Sequence, residues 1–250
     1  MSPDQQVRLI DRLYPLLRQN GLPIGIAATD DNDERHAEAT VKAYPRAVRA
    51  KLALIASHTY SANASEALRR LAVKTGKPLW ISEYGDGGAD GLTMARRIRN
   101  DIAETHASAW IYWQFAEPDS NWGLVQYHSR ETNPSFSFNR KFYVLSQFSR
   151  FIEPGNQIID SGDDDSLAAY DPRLHRLIIV GVNDRDALAA KHFDLSTFAS
   201  TGTSAEVWRT SASEDFSNSA PVPVIHQQLS VTLPAKSVTT WVIHGMVASS

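Results

Sequence analysis

The sequence has no cysteine, which excludes a disulfide framework and any Cys-ligated metal site and leaves the redox compartment open. It has no apolar run long enough to cross a bilayer as a helix, so no membrane partner is expected. It has no basic excess. The formal net charge of -3 at pH 7 argues against a nucleic-acid partner. The opening residues, Met1-Ser2-Pro3-Asp4-Gln5-Gln6, are polar, so no signal peptide is expected on this chain itself.

What is present is an ordinary globular balance: 250 residues, 42% hydrophobic and 21% charged, enough for one large or two modest domains. Six Trp, eight Tyr and nine Phe make a mild aromatic excess. Aromatic side chains usually build core, and they also serve as flat platforms for sugar rings.

Ser2-Pro3-Asp4 reads as a helix start, with Ser as N-cap and Pro at the first helical position. Val7, Ile10, Leu13, Leu16 and Leu17 recur at helical spacing until Asn20-Gly21 closes the helix. Residues 23–28 form an apolar run read as a strand. Residues 33–50 read as a helix, 52–57 as a strand and 64–74 as a helix closed by Gly76. Residues 78–82 are the third strand, 92–104 a helix and 108–114 the fourth strand. The strands begin near 23, 52, 78 and 108, a spacing of one βα unit. Strands alternating with helices mean a parallel sheet, either half of a (β/α)₈ barrel or a small doubly wound sheet.

Both architectures gather function at the C-terminal strand ends. There the four strands finish in Asp30, in His58 and Tyr60, in Glu83, and in Trp113. Simple alternation places Glu83 with Ile81 and Leu79, Trp113 with Ile111, His58 and Tyr60 with Ala56, and Asp30 with Ala28 and Ile26. Residues 115–138 read as irregular, and 140–151 as an amphipathic helix ended by Pro154-Gly155. Beyond it, 158–159, 167–170, 177–182, 205–208, 222–231 and 238–243 are short β-type runs separated by turn residues. That texture indicates an antiparallel sandwich or barrel, with a boundary near Glu153-Pro154-Gly155.

Glu83 is the strongest candidate for chemistry. A carboxylate ending an apolar strand is costly at the edge of a core. A lone Glu is more often a salt-bridge or capping residue, but a rigid strand end also suits a nucleophile. His58 and Tyr60, two apart, can reach one pocket: Tyr60 to hydrogen-bond Glu83 and His58 to bind a sugar hydroxyl. The ordinary reading is that both are satisfied core residues. Two of Trp110, Tyr112 and Trp113 pack against helices, and one, Trp113, floors a sugar subsite. Trp122 lies in a loop, where it packs back or binds something. The 85–91 loop is no phosphate cradle, since it lacks the lysine and carries two Asp. Asp86 with Asp90, and Asp163-Asp164-Asp165, read as solvated turns rather than calcium sites. Asp30 faces the pocket, and the acidic residues after it cap the next helix. No metal and no cofactor is expected.

The segments LWISEYGDG (79–87), SHTY (57–60), AWIYWQ (109–114) and KFYVLSQFSRFIEPG (141–155) resemble glycoside hydrolase family 30. The resemblance continues through IIDSG (158–162), AAYD (168–171) and SVTTWVI (237–243), and is nearest to the endo-β-1,6-galactanase branch. It implies a (β/α)₈ barrel fused to a β-sandwich, and retaining hydrolysis by two glutamates. The family's nucleophile, on the seventh strand, matches Glu83, which makes the four strands the fifth to the eighth. Residues 1–153 are then a partial barrel and 154–250 the β-sandwich domain. Asp30, His58, Tyr60, Tyr84, Trp113, Gln114 and Trp122 make the substrate-binding set, for an oligo- or polysaccharide. The family also implies an extracellular or periplasmic location.

One departure matters. The family's acid/base sits in an Asn-Glu motif ending the fourth strand, and this sequence contains no Asn-Glu pair. Its first residues, SPDQQVRLIDRL, look like the helix after that strand. The front half of the barrel and the strands it adds to the sandwich are therefore expected to be missing. Retaining cleavage needs a second carboxyl about 5–5.5 Å from the nucleophile, and acid assistance is worth roughly 10²–10⁴-fold. Asp30 and Asp86 are weak substitutes. Two hypotheses compete with a hydrolase, or the C-terminal part of one, acting on β-1,6-linked galactan or a related β-glycan. One is a non-enzymatic carbohydrate-binding protein. The other is an α/β enzyme with a doubly wound sheet and Glu83 as general base. A half barrel also leaves sheet edges unpaired, so the chain is expected to be a fragment or mis-started reading frame of a longer enzyme, the alternative being a half barrel that pairs with a second copy or a separate N-terminal half.

Overall fold

The computed structural model describes residues 1–61, 65–128 and 133–249. The chain divides into two units, Met1–Gly85 with Asn100–Trp113, and Asp86–Arg99 with Gln114–Ser250.

In the first unit, α1 (Pro3–Gln19) precedes β1 (Ile26–Asp31), α2 (Glu34–Ala43), α3 (Arg46–Lys51), β2 (Leu52–His58), α4 (Glu66–Thr75) and β3 (Leu79–Tyr84). After α5 (Leu92–Ala103), which the two units share, comes β4 (Ala109–Tyr112). The four strands form one parallel sheet in the order β1-β2-β3-β4. The order follows the chain without reversal, so this sheet lacks the switch point of a doubly wound fold.

The helix starts are the ones the cap residues encode. Ser2 and Gln5 form a reciprocal capping box. Asp33 accepts the amides of Arg35 and His36 at 3.0 and 2.9 Å. Gly76 closes α4 at φ 64. The single helix expected over 33–50 is two helices, because Pro45 forces Tyr44 into extended backbone (ψ 135). Ala64, the expected start of the next helix, lies outside the described residues.

Two apolar clusters join helices to strands. Ile26, Ala28 and Leu52 pack with Ile10, Tyr44 and Val48. Ile55 and Leu79 pack with Ala37, Val41, Leu68, Leu71 and Ala72. Residues between these on the strands are open: Ala27 is exposed, and Trp80 and Ile111 are 37% and 44% exposed. The sheet therefore has a helix-covered face and a face with exposed apolar residues.

In the second unit the stretch expected to be irregular contains a three-stranded sheet. It consists of β5 (Ala116–Pro118), β6 (Val125–His128) and β7 (Ser135–Phe138); residues 129–132 are outside the described set. Asn139 ties its end down, donating to the carbonyl of Gly123 at 2.7 Å. Helix α6 (Arg140–Ser149) follows.

The β-rich region begins with β8 (Gln157–Ile159), β9 (Ser166–Asp171), β10 (Arg176–Asn183), β11 (Ala189–Asp194) and β12 (Phe198–Ser200). It continues with β13 (Ser204–Thr210), β14 (Ser217–Pro223), β15 (Gln228–Leu233), β16 (Ser237–His244) and β17 (Val247–Ala248). Six strands form an antiparallel sheet in the order β14-β13-β16-β10-β9-β8; β11 pairs with β15, and β12 with β17. One core cluster draws Tyr170, Ile179, Val207 and Trp241 from the large sheet and Phe193, Leu229, Val231 and Leu233 from the β11–β15 pair. That is sandwich packing of two sheets about one core. The expected single run over 222–231 is two strands, parted by the turn at Ile225–Gln228.

Candidate active site

The site is built on β3. Its pairing contains an irregularity that alternation does not predict. Against β2 the register runs Ser57↔Ile81 and then His58↔Glu83, so Ser82 is the extra residue. Against β4 it runs Ile81↔Trp110 and then Tyr84↔Tyr112. A bulge of this kind re-aims the side chains that follow it. Leu79 and Ile81 are buried, Leu79 against α2 and α4. Glu83 does not share their environment, contrary to the alternation read from sequence. A comparable shift in β1, between Thr29 and Asp31, separates Asp30 from Ile26 and Ala28, which bury against helices. Asp30 has φ 63 and is 63% exposed at its side chain.

Three of the sequence-predicted residues meet around Glu83. The Tyr60 phenol donates to Glu83 Oε1 at 2.8 Å. His58 Nδ1 lies 3.5 Å from the same oxygen, an ion-pair distance rather than a well-formed hydrogen bond. On the other side of the imidazole, Nε2 is 3.4 Å from Asp30 Oδ1. Ser82 donates to that Asp30 oxygen at 2.6 Å. Glu83 keeps 27% of its side chain exposed, so it remains open to a reactant.

Burial pushes the Tyr60 phenol above its ordinary range, and its hydrogen bond to Glu83 and the charge of Glu83 push it further. The phenol is thus held neutral, as a donor. Behind it the rings form a chain. Tyr60 stacks on Tyr84 at 5.9 Å, Tyr84 meets Trp110 at 5.7 Å, and Trp110 stacks on Tyr112 at 6.3 Å.

The remaining predicted residues fall elsewhere. Tyr84 is buried in this ring chain. Trp113 is 51% exposed, and its amide donates to the Tyr84 carbonyl at 2.6 Å. Gln114 and Trp122 belong to the second unit, where the Gln114 carbonyl accepts the Leu124 amide and the Trp122 indole lies over Gly87. Asp86, also in that unit, is held by Lys141 at 3.0 Å. Two residues of this region escape sequence reasoning. Alternation puts Ser82 on the wrong face. Asp101 is a buried helix residue that accepts hydrogen bonds from Thr59 and Trp110. Asp101 stands in the last turn of α5, where the helix dipole opposes an acid, and that is the available signal.

Among the described residues no group of three or more His, Asp and Glu is placed to hold a metal ion. No helix among them is long and apolar enough to cross a membrane. The arrangement is a strand-end carboxylate, oriented by a neutral phenol and an imidazole. It suits attack on an electrophilic carbon or removal of a proton.

No family model matches the chain. An endo-β-1,6-galactanase of Hypocrea rufa is 30% identical over 246 residues, covering 96% of this chain and 51% of the relative. A glucuronoxylanase of Bacillus subtilis (strain 168) is 23% identical over 209 residues, 78% of this chain and 47% of the relative. The chain thus spans about half the length of the curated relatives it matches. In fold it is similar to a family 30 endoxylanase from Clostridium papyrosolvens C71, with a TM-score of 0.79 at 20% identity over 98% of this chain and 61% of that one.

Proposed function

The resemblance to glycoside hydrolase family 30 is borne out in sequence and fold over nearly the whole chain, and on that premise we propose that this is the C-terminal part of a retaining β-glycan hydrolase. Glu83 is its nucleophile. The observation that carries the reading is the Tyr60 hydrogen bond to Glu83 at the strand end, with His58 beside it. In that reading Glu83 Oε attacks the anomeric carbon as the bond to the leaving oxygen breaks, and a glycosyl ester forms. Water then hydrolyses the ester. The phenol steadies the carboxylate, and Asp30, held by Ser82, orients the imidazole.

The substrate is β-1,6-linked galactan or a related β-glycan, by likeness to the Hypocrea relative. Trp113 belongs to the sugar-binding surface, and Tyr84, buried behind Tyr60, supports it from within. A polymer of that size does not cross membranes unaided, which supports action outside the cytoplasm, extracellular or periplasmic. Residues 1–153 are strands five to eight of a (β/α)₈ barrel, and 154–250 its β-sandwich. Two observations support the partial barrel. Among the described residues the outer edges of β1 and β4 are unpaired, and Trp80, Ile111 and Trp113 leave one face apolar and open. The acid/base lies outside this chain, on an N-terminal half that completes the barrel; a second copy would cover the open sheet edges but bring no Asn-Glu pair of its own.

A leaving group that needs no protonation isolates the nucleophile. With a 2,4-dinitrophenyl β-galactoside the chain releases about one equivalent of dinitrophenolate, and mass spectrometry finds one galactosyl group on Glu83. A burst that persists in Glu83→Gln sinks the assignment. No burst, but oligosaccharide binding that quenches Trp fluorescence, favours the non-enzymatic carbohydrate-binding reading, for which the exposed Trp113 speaks.

A further inference from the structure

Glu83 is steadied at its carboxylate by Tyr60 and His58, and those two residues flank Thr59. Thr59 is fully buried. Its amide donates to the Glu83 carbonyl at 3.3 Å. Its hydroxyl donates to Asp101 Oδ1 at 3.2 Å. Asp101 lies on α5 and is itself fully buried. Its second oxygen, Oδ2, accepts the Trp110 indole N–H at 2.9 Å. Trp110 packs on Tyr84, and Tyr84 stacks on Tyr60.

One buried carboxylate thus reaches the Glu83 environment by two routes. The first is polar, through Thr59 to the backbone of Glu83 and to the residues on either side. The second is aromatic, through Trp110 and Tyr84 to the ring of Tyr60. A buried carboxylate is costly unless its lone pairs are used. Here they are used just past the end of β2 and on β4, the two strands that border β3. Strand β3 is bulged at this point, so its own ladder holds Glu83 less firmly than an unbroken one.

We propose that Asp101 is a positioning residue for Glu83, acting through Thr59 and Trp110. It touches no substrate. It sets where the 58–60 segment sits, and hence whether Tyr60 reaches Glu83 Oε1. The inference deepens the reading of Glu83 as nucleophile, and its test does not depend on turnover.

The test is the ionisation of Tyr60 in this chain, followed by NMR with ring-labelled tyrosine and assigned with Tyr60→Phe. In the wild type Tyr60 ionises above the ordinary tyrosine value of about 10. Asp101→Asn keeps the shape but turns an amide N–H₂ toward one donor. Thr59→Val removes the hydroxyl at constant volume. In both, Tyr60 loses its partner and ionises earlier, toward that ordinary value. Thr59→Ser, which restores the hydroxyl, returns it to the late position. A role in stability alone would lower the melting temperature without moving Tyr60. If Asp101→Asn and Thr59→Val both fold cooperatively and Tyr60 still ionises late, the proposal is overturned. Should Asp101→Asn not fold, the Thr59→Val and Thr59→Ser pair decides it. The dinitrophenolate burst provides the separation from the enzymatic reading. Early Tyr60 ionisation in the variants, with no burst from the wild type, leaves the positioning role standing and removes the nucleophile. Where the burst is present, Asp101→Asn slows it by on the order of tenfold to a hundredfold, the cost of small misplacements near a reacting group.

Discussion

Tyr60, just past the end of β2, and Glu83, on β3, meet in one hydrogen bond: the phenol donates to Oε1 at 2.8 Å. Burial, that bond and the Glu83 charge all keep the phenol neutral. A hydrogen bond to a charged acceptor contributes about 1.5–3 kcal/mol. Tyr60→Phe is therefore expected to slow glycosylation of Glu83 by about ten- to a hundredfold, with little change in substrate affinity. Stopped-flow release of dinitrophenolate across a range of substrate concentrations separates the two. The same phenol has a raised folded value, so its contribution to stability is fully present below the ordinary tyrosine value of about 10. That contribution is lost as pH rises through the folded value. Tyr60→Phe should flatten that alkaline loss in urea titrations.

Asp33 governs the acid side. Burial alone would raise it, but the His36 amide, the His36 ring and the Ser61 hydroxyl outweigh that and hold it at about 2. A carboxylate depressed in the folded state contributes stability above its unfolded value, 3.8, and loses it as pH falls toward about 2. Asp33→Asn keeps an N-cap but no charge, and is expected to cost roughly 1–2 kcal/mol at neutral pH. The deficit should vanish below that window. Urea midpoints of wild type and Asp33→Asn that coincide both at neutral pH and at pH of about 4 would refute this.

Lys141 is fully buried on α6, with Nζ donating to the carbonyl of Asp86 at 2.7 Å and to Asp86 Oδ1 at 3.0 Å. Burial lowers its affinity for a proton, against Asp86, Asp90 and Glu117, which favour the ammonium. Removing one partner of a buried pair costs about 3–5 kcal/mol, because the other charge stays behind. Lys141→Met conserves most of the volume, so a loss of about 3 kcal/mol in urea unfolding is electrostatic in origin. A loss below about 1 kcal/mol would place Asp86 in solvent instead.

Gly91 precedes α5 with φ 73, and a Cβ there would lie 2.8 Å from Lys141 Cα and 2.9 Å from its Cβ. Both the backbone angle and the contact oppose any side chain. Gly91→Ala is expected to destabilise by about 1–3 kcal/mol. Gly155, with φ 97 and nothing within 4 Å of where a methyl group would sit, is the control, losing only the conformational share. Equal losses at the two glycines would remove the close-packing argument.

The strand-helix order of the first unit is legible in the sequence because its signals are local. Ser2, Asp33 and Gly76 cap the helices that their positions announce. Pro45 is an equally local signal, and it outweighs the helical periodicity that runs through 33–50. Strand β11 is hidden because Ala189–Asp194 carries Lys191 and His192 in an otherwise weak apolar pattern. Its pairing with β15 and the burial of Phe193 make it a strand. Sheet β5-β6-β7 is hidden for a related reason: its strands are three or four residues long and mostly exposed. At the site, Tyr60 reaching Glu83 is readable from strand ends, whereas Ser82 holding Asp30 is not.

By itself the sequence determined that apolar strands alternate with capped helices, that Glu83 ends one of those strands, and that its motifs resemble one hydrolase family. All of these are carried by neighbours along the chain. The tertiary structure alone decided which way Glu83 points. Strand β3 must satisfy β2 and β4 at once, and the two registers agree only with an extra residue at its end. That residue, Ser82, breaks the alternation and leaves Glu83 beside Tyr60 and His58 rather than with Leu79 among the helices.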